Sequence, residues 1–121
     1  MKMKTLLTLL LVFGVVMTSF AQENPLAGVI DIHAHSAPDS SPRSIDAIDL
    51  ARLAKSRGMR GLVLKNHYQP TASLAYVVRK EVPGIEVFGG VDLNLSVGGM
   101  NPLAVEHMAA TTGGYGRFVG K

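Results

Sequence analysis

Cysteine and tryptophan are absent from this chain of 121 residues. Without Cys there is no disulfide framework, no thiolate metal ligand, no Cys nucleophile and no lipidated N-terminal Cys. Aromatic residues make up 6%, too few to build the stacking platforms that hold single-stranded nucleic acid. An excess of one charge is also missing once the charges are located. The chain carries 12 Lys+Arg against 9 Asp+Glu, but Lys2 and Lys4 lie in an N-terminal leader. The remainder has ten positive and nine negative residues, which is no electrostatic footprint for DNA or RNA. Neither a G-x-G-x-x-G fingerprint nor a Walker-type lysine loop occurs, so nothing supports a nucleotide role. The length allows one domain.

What is present begins with the leader. Lys2 and Lys4 form a basic start, and residues 6–17 are apolar apart from Thr8. Ser19 and Ala21 then place small residues at −3 and −1 of a cleavage site after Ala21, the pattern of a secretory signal peptide. The apolar run is shorter than the roughly 18 residues a membrane anchor needs, so no stable membrane anchor is expected. The sequence thus divides into a signal peptide over 1–21 and one domain over 22–121, exported to the periplasm or secreted.

The domain reads as alternating strands and helices. Gly28-Val29-Ile30-Asp31-Ile32-His33 is a β-branched run suited to a strand buried between layers. Ser44 can cap a helix over 44–57, with Ala47, Leu50, Ala51 and Ala54 on one face and Gly58 as its stop. Gly61-Leu62-Val63-Leu64-Lys65 is a second strand. Thr71 can cap a second helix, halted by Pro83-Gly84. A third strand spans 85–93, and Asn101-Pro102 opens a third helix that ends before Gly113-Gly114. Arg117-Phe118-Val119 starts a fourth strand. Such a rhythm predicts right-handed βαβ units and a parallel sheet. The strand starts are spaced by 24–32 residues, and eight such units approach the roughly 250 residues of a (β/α)8 barrel. The expected fold is α/β, a partial (β/α)8 TIM-type barrel of three βα units plus the start of a fourth strand. A small doubly wound domain is the alternative.

The chemistry gathers at strand ends. His33-Ala34-His35 is an H-x-H pair, and strand residues two apart project to the same side, about 6.6 Å apart. Two imidazoles can then converge on one divalent ion, and Asp31, of the same parity, can orient a ligand from deeper in the strand. Lys65 and His67 end the second strand with matching parity. Lys65 can contact a substrate carboxylate, neutralise Asp31, bridge two metals if carbamylated, or simply reach solvent; His67 is better placed for the site. Asp92 and Asn94 end the third strand; they can bind metal, orient water or contact substrate, or merely form the loop that follows. His107 reads as a helix-surface histidine. Arg43, Arg52, Arg57, Arg60 and Arg79 read as solvated helix and loop charges.

Val29-Ile30-Asp31-Ile32-His33-Ala34-His35 resembles the opening strand of the amidohydrolase superfamily of metal-dependent hydrolases. With His35-Ser36-Ala37-Pro38-Asp39 and Gly61-Leu62-Val63-Leu64-Lys65-Asn66-His67, the similarity points to a poorly characterised amidohydrolase-like family. The resemblance implies a metal-binding barrel that hydrolyses amide, ester or related bonds of a small-molecule substrate. It matches His33 and His35 to the first ligand pair and makes His67 a further ligand or substrate contact. The cofactor it implies is one or two divalent ions, zinc before others. Lys65 and Asp92 are the candidate catalytic residues within this sequence, Asp92 ranking below a general-base carboxylate expected on a later strand. The superfamily's carbamylated lysine sits on a fourth strand, so Lys65 on the second does not match it. The superfamily's later ligand-bearing strands have no counterpart here, so the sequence reads as an N-terminal fragment, inactive by itself. The competing function is a non-catalytic exported module that binds a metal or ligand.

The leader makes a direct prediction. Protein recovered from the export compartment should have its N-terminus at Gln22, with the first 21 residues gone by intact mass. Full-length protein confined to the cytoplasm would refute it.

Overall fold

The structure is a computed structural model that describes residues 23–111. Its elements run in the order β1 (Ile30–Ala34), α1 (Ala47–Ser56), β2 (Gly61–Leu64), α2 (Ala72–Glu81), β3 (Glu86–Phe88), a 3₁₀ turn (Leu95–Val97) and α3 (Pro102–Thr111). The expected leader over 1–21 and the fourth strand at 117–119 lie outside the described residues.

All strands pair in parallel in the order β1-β2-β3. Sequential order with right-handed crossovers puts α1 and α2 on the same face of the sheet. They touch each other and share one core with it: Ala47, Ala51 and Ala54 of α1, Ala75 and Val78 of α2, Leu62 and Leu64 of β2, and Val87 of β3. The alanines keep both helices close to the strands. A second cluster joins Ala72, Val91 and Met108, setting α3 against the start of α2.

The structure corrects the barrel expectation. Among the described residues there is a small α/β unit with a three-stranded parallel sheet and three α-helices, and no closed barrel. Neighbouring strands rotate by only about 20–25°, so three of them make an open sheet whose first and last members remain edges. This also corrects the expectation that β1 is buried between layers. As an edge strand with helices against one face, it leaves Asp31, Ile32 and His33 exposed, Ile32 by 68%. The β1–β2 register slips between Asp31 and Ala34, where β1 carries one residue more than its partner.

The third strand is shorter than the apolar run over 85–93. Pairing stops at Phe88 because the backbone of Gly89 passes directly over the start of α2. A Cβ at Gly89 would lie 2.3 Å from the Ala72 Cα, so only glycine fits. Beyond it the ladder gives way to side-chain bonding through Thr71.

Helix starts differ in the same local way. Asp46, not Ser44, caps α1, its carboxylate accepting from the N–H groups of Ile48 and Asp49 at 2.8 and 2.9 Å. Thr71 occupies the cap position of α2, but its side chain makes no cap bond. Its hydroxyl instead donates to the Leu64 carbonyl at 2.5 Å and accepts from the Gly90 N–H at 2.9 Å. This buried hydroxyl therefore ties the end of β2 to the segment after β3. α1 ends as expected, at Gly58 with φ +73°.

Thr71 yields a stability prediction. Thr71→Val keeps the shape but strands a buried carbonyl and N–H, and should cost about 1–3 kcal/mol by urea denaturation. Thr71→Ser keeps the hydroxyl and should recover most of that loss. A loss in Thr71→Ser larger than that in Thr71→Val would show that the methyl group, not the hydroxyl, matters.

Candidate functional site

Parallel pairing sends the C-terminal ends of β1, β2 and β3 to the same edge of the sheet, the edge at which α/β folds bind ligands. Here it gathers His33 from β1 and His35 just beyond it, Lys65 and His67 from the segment after β2, and Asp92 from the segment after β3. The rings of His33 and His35 lie 5.0 Å apart between centroids, with their Nε2 atoms at 3.1 Å. The His67 ring lies 4.7 Å from that of His35. On its other side His67 Nδ1 is 3.6 Å from Asp92 Oδ2, and Lys65 Nζ is also 3.6 Å from that oxygen.

The slip in the ladder helps to aim the histidines. Within it, the Asp31 carboxylate accepts the backbone N–H of His33 at 2.8 Å. Asp31 is therefore a local brace on the strand, exposed and not paired with Lys65, contrary to one expectation for each residue. Lys65 is 3% exposed and neutralises Asp92, itself 8% exposed; the reading of a lysine reaching solvent does not hold. Asn94 lies at the site but turns its amide on the chain, donating to the His67 carbonyl at 2.5 Å. His107 is exposed on α3.

Several participants escaped the sequence reading. Arg43 was expected to be solvated, yet it forms an ion pair with Asp39 at 2.5 Å, and the Asp39 side chain is only 1% exposed. The spacing of four residues between these opposite charges was the available signal. Burial pushes the Asp39 carboxyl up, but hydrogen bonds from Arg43 and the Ser40 backbone, with the Arg43 charge, outweigh it and hold the group below the usual carboxylate range. Arg79, also expected in solvent, donates to the Val87 carbonyl. Asn66, buried at the end of β2, donates to the Pro38 carbonyl at 3.0 Å, as does Gln69. No sequence pattern marks that bond.

A metal can be tested against these donors. Zinc–nitrogen bonds of 2.0–2.1 Å at a tetrahedral angle separate two ligand nitrogens by about 3.3 Å. The His33 and His35 Nε2 atoms, at 3.1 Å, come close to that edge length. Three buried polar atoms without a protein partner, His35 Nδ1, Ser36 Oγ and Asn66 Oδ1, lie at the ends of β1 and β2. Such atoms call for water or a ligand. The fit stops at two donors: among the described residues no three His, Asp or Glu side chains are grouped so as to hold a metal ion. His67 meets His35 ring against ring, and its Nδ1 is turned toward Asp92.

The His35 imidazole titrates below its ordinary 6.5. Burial is the main cause, and the charges of Arg43, His67, His33 and Lys65 act in the same direction. His35 is therefore neutral at pH 7, as a metal ligand or proton acceptor must be. Because the unfolded chain takes up this proton first, its contribution to stability is full above about pH 6.5. That contribution is lost as pH falls from there through the folded-state value. Denaturation midpoints at pH 7.5 and 5.5 should thus differ less in His35→Gln than in the wild type. An unchanged difference in His35→Gln would refute the assignment.

No curated protein and no solved structure matches the chain. A family of unknown function, DUF6282, matches over residues 28–119, which includes every site residue described above. The chain belongs to the DUF6282 family.

Proposed function

We propose that this protein is a divalent-metal-dependent hydrolase that cleaves amide, ester or related bonds of a small molecule at the C-terminal edge of its sheet. One observation carries the reading: consecutive parallel strands bring two neighbouring imidazoles, a third imidazole and a buried Lys–Asp pair to one edge. His33 and His35 would hold the ion, zinc being the first candidate for a nitrogen-rich site without thiolates. When bound, such an ion activates water and polarises the scissile carbonyl.

The chain's own residues divide the remaining work. Lys65 balances the Asp92 carboxylate, which lets a charge persist where water is largely excluded. Asp92 in turn faces His67 Nδ1, orienting the ring. His67 is then the group to carry a proton toward the leaving group on its free ring nitrogen. Asn94 fixes the backbone of His67 through its carbonyl.

A second reading, a non-catalytic metal- or ligand-binding module, is favoured by the two-donor limit of the fit. Calorimetric titration with zinc and a hydrolysis screen separate the two. His33→Ala and His35→Ala should each weaken zinc binding by at least about 10-fold, the lower range for losing even a supporting contact. His107→Ala should change it less than about 2-fold, the small effect of a surface substitution away from the site. Equal losses in all three variants would mean adventitious binding and overturn the site. Zinc binding without turnover on any amide or ester would favour the binding module.

A further inference from the structure

Beside His67 lies a cavity of about 90 Å³, lined by His67, Asp92, Leu93, Asn94 and Met100. Its lining is divided. His67, Asp92 and Asn94 are polar, whereas Leu93 and the thioether of Met100 are apolar. The apolar wall belongs to a loop held by its own backbone. Val97 and Gly99 N–H groups both donate to the Asn94 carbonyl at 3.0 and 2.9 Å, and Gly98 and Gly99 adopt positive φ to close it. Met100 is 85% exposed and so forms the open rim of this wall.

Size and charge restrict what fits. A cavity of about 150 Å³ accommodates benzene, or about 25 Å³ per carbon, so this one takes roughly three to four carbon-sized atoms. The Asp92 carboxylate only accepts hydrogen bonds, so the polar end of a ligand must donate. Lys65 already balances the charge of Asp92, so a cationic donor is not required, and an anionic group would face the carboxylate directly.

We propose that this cavity is a subsite for a short, neutral aliphatic amide, with the amide N–H toward Asp92 and the alkyl arm against Leu93 and Met100. The inference rests on the hydrolase reading and names the substrate class of that site: amides of small acyl groups, in preference to the corresponding carboxylates or to aromatic amides.

The test uses the full chain without added metal, following the Leu93 and Met100 methyl groups by NMR while formamide, acetamide, propionamide and butyramide are titrated in turn. Affinity should rise about 4-fold from formamide to acetamide, whose heavy atoms fill the cavity, then stop rising at butyramide. Acetate should bind at least about 10-fold more weakly than acetamide. Met100→Ala alters an exposed side chain and should not disturb folding; read at Leu93, it should weaken acetamide and improve butyramide relative to it. Absence of saturable shifts at these methyls, equal binding of acetate, or affinity climbing steadily to butyramide would overturn the subsite. Zinc affinity and turnover are separate measurements, so failure of the hydrolase reading is distinguishable from failure of the subsite.

Discussion

The ammonium of Lys65 and the carboxylate of Asp92 face each other across 3.6 Å, both almost wholly withdrawn from water. Neither charge is tolerable there without the other, since removing one partner of a buried pair costs about 3–5 kcal/mol. Lys65 follows β2 directly, and Asp92 follows β3. Their attraction therefore fixes the relation between two strand ends that backbone pairing, which stops at Phe88, no longer holds together. His67 depends on this arrangement, because its ring leans on the same carboxylate oxygen that Lys65 faces. The histidine pair of β1 is linked in turn through contact of the His35 and His67 rings.

Around that pair, each loop at the site edge is fastened to the one before it by a side chain bonding to backbone. Asn66, after β2, donates to the Pro38 carbonyl in the loop after β1. Asn94, after β3, donates to the His67 carbonyl in the loop after β2. Thr71 bonds both Leu64 and Gly90. Loops are ordinarily the mobile part of an α/β unit. Here neutral hydrogen bonds, individually worth about 1 kcal/mol, supply the stiffness that a site built from three separate segments requires.

Much of this was legible in the sequence, and the reasons are local. The 3.6-residue spacing of Ala47, Ala51 and Ala54 reports a helix face, and apolar runs bounded by glycine report β2. Parity within His33-Ala34-His35 and Lys65-Asn66-His67 anticipates that these rings meet at one edge. Other features depended on contacts between distant segments. Gly89 ends β3 because Ala72, seventeen positions earlier, lies against it. Arg43 leaves solvent because a buried carboxylate awaits it. Whether a sheet closes is a property of strand number and tilt, which periodicity in one segment does not contain. Thr71 looks like a helix cap in sequence, and only the nearby Leu64 and Gly90 backbones show where its hydroxyl is used.

The slip between Asp31 and Ala34 has a bearing beyond the aim of the histidines. In the described sheet β1 is an edge, and an edge with an exposed isoleucine invites another chain to add a strand. An extra residue distorts the hydrogen-bonding row, and the adjacent carboxylate of Asp31 sets a charge upon it; both are devices by which sheets refuse such pairing. Straightening β1 by deleting one residue there would restore a regular template while reversing the facing of the residues beyond. Self-association and loss of the imidazole pair would then arise together. The irregularity in the strand thus joins solubility to the site, leaving little room to improve one without the other.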